Sequence, residues 1–156
     1  MVKYLFNDTT HFGVDELTEM VMKTKSILLV DDEPIILESL RRELNSGNQG
    51  FNVSVVTNIK DAITNINKGY YDLVVTDLMM PDFDGFQVLK AAKQWQNMQT
   101  KVIILTSDGD VKFAIDAIRL GVDDYFLKPF DLDDLVYRIR NCLVKQDLER
   151  KVLMYE

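Results

Sequence analysis

Histidine and cysteine are almost missing from this chain, with one of each in 156 residues. The single cysteine, Cys142, excludes an internal disulfide and suits a reducing compartment. The single histidine, His11, sits in the leader, which removes histidine catalysis and histidine metal ligation from the body of the chain. No apolar run approaches the roughly 20 residues of a membrane-spanning helix. The opening "MVKYLFNDTTHFGVDE" lacks the apolar stretch of a signal peptide, being interrupted by Asp8 and His11. Positive charge is also short: 18 Lys and Arg against 25 Asp and Glu leave a net charge of −7. A nucleic-acid-binding face needs a basic surface, so that class is disfavoured. Internal repeats and low-complexity tracts are absent from the sequence. Together these absences predict a cytoplasmic protein that neither enters a membrane nor binds nucleic acid directly.

What is present is the pattern of one α/β domain. Five apolar runs have strand length: "SILLV" (26–30), "FNVSVV" (51–56), "DLVVT" (72–76), "KVIIL" (101–105) and "DYFLK" (124–128). Four are near-continuous rather than alternating, as in a parallel sheet covered on both faces. Each is followed by a stripe of helical period. The stripes are Leu37, Leu40 and Leu44; Ile59, Ala62, Ile63 and Ile66; Val88, Ala91, Ala92 and Trp95; Val111, Ala114, Ile115 and Ile118; and Leu132, Leu135, Val136, Ile139 and Leu143. Gly69 and Gly121 mark two helix ends, and Asp131 is placed to cap the last helix with Asp134 in its first turn. Five strands alternating with five helices give a (βα)5 chain with right-handed crossovers and three layers.

The domain is expected over residues 25–147. Residues 1–24 form an extension, either a short amphipathic helix through Val14, Leu17, Met20 and Val21 or a mobile leader. Residues 148–156 continue the fifth helix, since Val144, Leu148 and Val152 prolong its stripe; they end as a frayed terminus or begin a linker or coiled coil.

In open α/β sheets, sites form beyond the carboxyl ends of the strands. The first strand is followed there by Asp31, Asp32 and Glu33, the third by Asp77, the fourth by Thr106 and Ser107, and the fifth by Lys128 and Pro129. Each has an ordinary explanation alone. Asp31 and Asp32 precede Pro34 and would serve as helix caps, Thr106 as a turn residue, Lys128 as a solvated charge. The topology nevertheless brings them to one rim. Clustered carboxylates repel, and a divalent cation relieves that repulsion. Oxygen ligands without histidine or cysteine point to Mg²⁺ or Mn²⁺. Asp31, Asp32 and Asp77 carry three negative charges; a divalent cation and Lys128 balance them. An aspartate in such a neutralised site can be the nucleophile of phosphoryl transfer, forming an acyl phosphate.

With "LLVDDEP", "VVTDLMMPDFDG", "VIILTS" and "DDYFLKPF" in this order and spacing, the chain resembles the receiver domain of bacterial two-component response regulators, over about residues 25–147. The resemblance implies a flavodoxin-like doubly wound sandwich whose parallel strands run in the order 2-1-3-4-5. It implies Asp77 as phosphoacceptor, Asp32 as direct metal ligand, Asp31 as the acid that reaches the metal through water, and the backbone carbonyl of Met79 as a further ligand. Thr106 matches the hydroxyl that turns toward the phosphoryl group, Lys128 the lysine that pairs with it, Tyr125 the aromatic switch, and Lys128–Pro129 a cis bond. Met79 and Asp108 match positions that flank the site and influence phosphate lifetime. The implied donor is a sensor histidine kinase or a phosphotransfer protein. The implied chemistry is self-catalysed phosphotransfer and autodephosphorylation rather than turnover of a separate substrate. The implied readout is the face of the fourth helix, fifth strand and fifth helix, including Lys112, Ile115, Asp116, Arg119 and Tyr125, which would meet a partner or a second copy of the chain.

Three other readings compete. A degenerate receiver would serve only as a protein-interaction module, but every key position is filled. A haloacid-dehalogenase-type phosphatase would need an aspartate where Met79 stands, and a flavodoxin-like flavin binder would need a Ser/Thr-rich loop where "DDEP" stands. Asp82 and Asp84 read as loop and N-cap residues.

Overall fold

The computed structural model describes residues 24–46, 50–80, 83–94 and 99–154. The leader stripe of Val14, Leu17, Met20 and Val21, together with Asp82 and Trp95, lies outside these residues. The described elements are β1 (Ser26–Val30), α1 (Pro34–Asn45), β2 (Asn52–Val56), α2 (Ile59–Lys68), β3 (Leu73–Asp77), β4 (Met79–Met80), β5 (Phe83–Asp84), α3 (Phe86–Lys93), β6 (Lys101–Thr106), α4 (Val111–Arg119), β7 (Asp124–Leu127) and α5 (Leu132–Met154). The five longer strands form one parallel sheet in the order β2-β1-β3-β6-β7. With the short antiparallel pair β4–β5 set aside, this is the order 2-1-3-4-5 implied by the resemblance.

The near-continuous apolar runs are explained by burial on both faces. β3 and β6 are buried along their whole length, and so is β1 after its first residue. Successive residues point to opposite sides, so each strand feeds two cores. Ile27, Leu29, Val75, Ile103 and Leu105 meet Leu37, Leu40 and Leu44 of α1 and Leu135, Ile139 and Leu143 of α5. Leu28, Val30, Val74, Val102 and Ile104 meet Ile59 and Ala62 of α2, Val88, Leu89 and Ala92 of α3, and Ala117 of α4.

Helix α4 departs from the expected stripe. Val111 and Ile118 are 68% and 69% exposed and Ile115 is 43% exposed. The inward face consists of Ala117, fully buried, with Phe113 and Leu120 packed beside it. Both faces of this helix are apolar at helical spacing, so period alone does not choose between them. Burying the side carrying Ala117 lets the helix backbone lie close to the sheet and leaves three β-branched side chains outside.

The helix ends follow local chemistry. The Asn58 side chain caps α2 by accepting from the Asp61 N–H, Asp110 caps α4 through the Lys112 N–H, and Asp131 accepts from the N–H groups of Asp133 and Asp134. Gly121, after α4, takes φ +88°, the left-handed turn that glycine allows. Gly69 ends α2 in an extended conformation instead, at φ −151°.

Helix α5 is unbroken to Met154, and polar contacts tie its last turns to the amino-terminal edge of the sheet. The buried Lys25 ammonium donates to Gln146 and pairs with Asp147. Gln146, fully buried, donates to the carbonyls of Asp72 and Gln99. Arg150 reaches Asp72 at 3.2 Å, and Lys101 pairs with Glu149 at 2.7 Å. Nearby, burial pushes the half-buried Cys142 thiol up to about 12, which keeps it protonated and unreactive at neutral pH.

Removing one member of a buried ion pair strands the other charge, at a cost of about 3 kcal/mol. Lys25→Met is therefore expected to lower unfolding stability by about that amount. The double substitution Lys25→Met with Asp147→Leu should recover much of the loss, as read from urea denaturation of both variants.

Candidate phosphoryl-transfer site

The carboxyl edge of the sheet gathers the expected residues. Asp77 is the last residue of β3 and Thr106 the last of β6, while Asp31 follows β1 and Lys128 follows β7. Backbone bonds set their register. The Asp31 N–H donates to Val56 O at 3.3 Å, Leu78 N–H to Leu105 O at 3.0 Å, and Lys128 N–H to Thr106 O at 2.8 Å. The loop beyond Asp77 turns back through the β4–β5 pair, where the Gly85 N–H donates to Leu78 O. Glycine is required there by space: a Cβ at Gly85 would lie 2.6 Å from the Asp77 carbonyl oxygen. Asp84 accepts from the Phe86 N–H at the start of α3, one position before the formal cap Gly85.

One cation joins the acids. The Lys128 ammonium donates to Asp31 Oδ2 at 2.7 Å, Asp77 Oδ2 at 3.1 Å and Glu33 Oε1 at 3.2 Å. Asp31 and Asp77 are buried, whereas Asp32 and Glu33 are exposed on the outer side. The Asp31 carboxylate does not cap α1. Its Oδ1 accepts from the Glu33 N–H at 2.8 Å, and Glu33 occupies the cap position with Pro34 at the first helical position. Asp77 Oδ1 accepts from the Met79 N–H at 3.0 Å, leaving the Met79 side chain 47% exposed at the mouth of the site. Thr106 is fully buried; its Oγ1 accepts from the Asp108 N–H at 3.1 Å. Tyr125 is half-buried against the α4 side, its hydroxyl 3.5 Å from the Asp108 carbonyl. The Lys128–Pro129 bond is cis.

Charge is unevenly settled in this cluster. Burial pulls the Lys128 ammonium down, but the carboxylates of Asp31 and Asp77 outweigh it and hold the group above the ordinary lysine value. At Asp31 the balance reverses. Burial raises its carboxyl above 3.8, Lys128 and the Glu33 N–H only partly compensate, and the charge of Asp77 adds to the rise. One lysine serves several acids, so it is well supplied with partners while buried Asp31 remains short of compensation. Oxygen atoms of Asp31, Asp32, Glu33 and Asp77 all lie within 4.8 Å of one another. A set of oxygen donors this close, short of positive charge, suits a hard divalent cation.

Glu33 is the member that sequence reasoning left without a role. It stands directly after Asp31 and Asp32, but spacing does not say whether an N-cap carboxylate turns to the helix or to a lysine 95 residues away.

A crowded carboxylate rim on a 2-1-3-4-5 parallel sheet, closed by one lysine, defines a receiver-type α/β domain. Residues 27–140 match the model of the response regulator receiver domain, and the chain belongs to that family. It is 35% identical over 120 residues to the response regulator ArlR of Staphylococcus aureus, covering 77% of this chain and 53% of that protein. It is 34% identical over 119 residues to the transcriptional regulatory protein PcoR of Escherichia coli, covering 75% and 50%. The chain thus spans about half the length of these curated relatives. Among solved structures, the CheY-like receiver domain protein of Methanospirillum hungatei JF-1 superposes with a TM-score of 0.75 at 27% identity, covering 81% of this chain and 99% of that one. The receiver domain of the Francisella response regulator 1452 gives 0.68 at 32% identity, covering 78% and 98%. Among the described residues, no helix is long and apolar enough to cross a membrane.

A carboxyl whose value rises on folding weakens the fold once it ionises. For Asp31 that cost is absent below 3.8, grows as pH rises from 3.8 toward its higher folded value, and is complete above it. A divalent cation bound beside ionised Asp31 would offset it. Mg²⁺ at a hundred times its dissociation constant is expected to stabilise the protein by about 2.7 kcal/mol at neutral pH. The increment should fade on acidification as Asp31 protonates and be lost in Asp31→Asn and Asp77→Asn, as followed by thermal melts with and without Mg²⁺.

Proposed function

We propose that this domain takes a phosphoryl group from a phosphohistidine donor, a sensor histidine kinase or phosphotransfer protein, onto Asp77. The observation that carries the reading is the buried Asp77 carboxylate bridged through Lys128 to Asp31 at the strand ends. An Asp77 oxygen forms the new P–O bond as the donor's P–N bond breaks, and the electron pair leaves on the imidazole nitrogen. Lys128 already holds the spot where the equatorial oxygens arrive and neutralises part of their charge. Asp31, Asp32, Asp77 and the Met79 carbonyl are the groups to hold Mg²⁺ or Mn²⁺, which supplies further charge neutralisation for the transferred group. The donor provides the phosphoryl group and the chain provides its own acceptor. The protein therefore acts as a self-phosphorylating and self-dephosphorylating switch, with hydrolysis of the acyl phosphate resetting it.

The switch follows from Thr106. Its Oγ1 accepts from the Asp108 N–H, so turning toward a phosphoryl group exchanges that bond for a new one. The same loop carries the Asp108 carbonyl near the Tyr125 hydroxyl, and α4 begins just beyond it. Phosphorylation then favours the state in which Thr106 and Lys128 hold the phosphate and Tyr125 moves inward. The output surface is the face of α4, β7 and α5. Exposed Val111, Ile115 and Ile118 on α4 with Leu127 on β7 give it an apolar character suited to a second copy of the chain or an output partner. The setting is the bacterial cytoplasm, where such donors act. The degenerate-receiver alternative gains no support from a site in which Asp31, Glu33 and Asp77 all contact Lys128.

Incubation with Mg²⁺ and acetyl phosphate is expected to add one phosphoryl mass to the intact protein and none to Asp77→Asn. Failure of the wild type to gain mass with any donor would overturn the reading. Light scattering of the phosphorylated protein should report an increase in molecular mass that Ile115→Glu weakens.

A further inference from the structure

Glu33 makes a choice that its position does not require. As the N-cap residue of α1 it serves the helix through its backbone, its carbonyl accepting from the Ile36 and Leu37 N–H groups, and its side chain makes no cap bond. The carboxylate turns to Lys128 instead, 3.2 Å away, although the side chain remains 58% exposed. Lys128 already donates to Asp31 and Asp77, so Glu33 takes the third and last N–H of the ammonium. As an exposed pair, this contact contributes little to folding. Its consequence lies in the charge of the rim. Asp31, Asp32 and Asp77 are balanced by a divalent cation and Lys128, and Glu33 leaves one negative charge over.

We infer that Glu33 is a positioning residue that competes with the incoming phosphoryl group for Lys128 while strengthening cation binding, and so sets how readily Asp77 is charged. The inference rests on the phosphoacceptor reading above. A phosphoryl group on Asp77 brings oxygens that need the Lys128 N–H groups, and one of these is committed to Glu33. The Glu33 charge also opposes an anionic donor entering the rim. Toward a divalent cation the sign is opposite, because a carboxylate within 4.8 Å of the other ligands attracts it. Glu33 thus trades readiness for phosphorylation against affinity for the metal.

The test uses the whole chain with Glu33→Gln and Glu33→Asp, neither of which disturbs buried packing. Glu33→Gln keeps the length and removes the charge. It is expected to bind Mg²⁺ several-fold more weakly by calorimetry, about three- to tenfold for charges at this separation. At saturating Mg²⁺ it should be phosphorylated by acetyl phosphate several-fold faster than wild type. Glu33→Asp keeps the charge and shortens the reach, so it should keep Mg²⁺ affinity near wild type while still phosphorylating faster. The ¹⁵Nζ resonance of Lys128 should move in both variants, a signal that a purely structural role would leave in place. Unchanged Mg²⁺ affinity in Glu33→Gln, or a Lys128 resonance unmoved in both variants, overturns the inference. So does a phosphorylation rate in Glu33→Gln equal to or below that of wild type. If wild type itself gains no phosphoryl group, the phosphoacceptor reading fails instead, and the titration and the Lys128 resonance still judge Glu33.

Discussion

Asp31 and Asp77 leave adjacent parallel strands, and the Lys128 ammonium between them, with one backbone N–H to each, makes their shared burial tolerable. Two carboxylates this close would otherwise drive one of them to protonate. The lysine is delivered from β7, two strands from β3, so the contact exists only when β1, β3, β6 and β7 are all in register. The rest of the site leans on this clamp. Thr106 is fixed by the backbone bond from Lys128, and the loop after Asp77 is folded back by Gly85, where no side chain would fit. The clamp is also incomplete by charge: the lysine is held firmly ionised while Asp31 remains strained by burial. A site left short of positive charge by its own protein is prepared for a cation.

How far the sequence told this in advance depends on which interactions decide each feature. The sheet was legible because burial on both faces leaves near-continuous runs, as in "SILLV" and "KVIIL". The rim was legible because strand ends in an open α/β sheet bring Asp31, Asp77, Thr106 and Lys128 to one edge whatever their separation in sequence. Helix α4 was not, because Val111, Ile115 and Ile118 share a period with Phe113, Ala117 and Leu120. There the close approach permitted by an alanine favours one of two apolar faces, and periodicity carries no record of that. Glu33 was not, because a cap carboxylate beside a helix and a lysine far along the chain are equally consistent with its place after Asp32.

The exposed face of α4 gains meaning from the site rather than from packing. Burying those three β-branched residues would add apolar stabilisation of the order of 1.5–3 kcal/mol each. Leaving them in water therefore costs the isolated domain stability that a partner surface would return. The same loop that carries Asp108 holds the Thr106 hydroxyl and starts α4, so the carboxylate rim and this face are joined by a short stretch of chain.

The opposite edge of the sheet is built to resist rearrangement. There buried Lys25, Asp72 and Gln146, with half-buried Gln99 and Arg150, tie the last turns of α5 to the amino ends of β1, β3 and β6 through hydrogen bonds and ion pairs. Networks of this kind resist partial opening, since breaking one bond strands a buried partner. The carboxyl edge is built differently, from two buried and two exposed acids, a threonine with one replaceable bond and a lysine shared among three acceptors. A tightly bonded amino edge and an over-committed carboxyl edge on one sheet leave the loops that carry Asp77, Thr106 and Lys128 as the part of the sheet least tied to its surroundings.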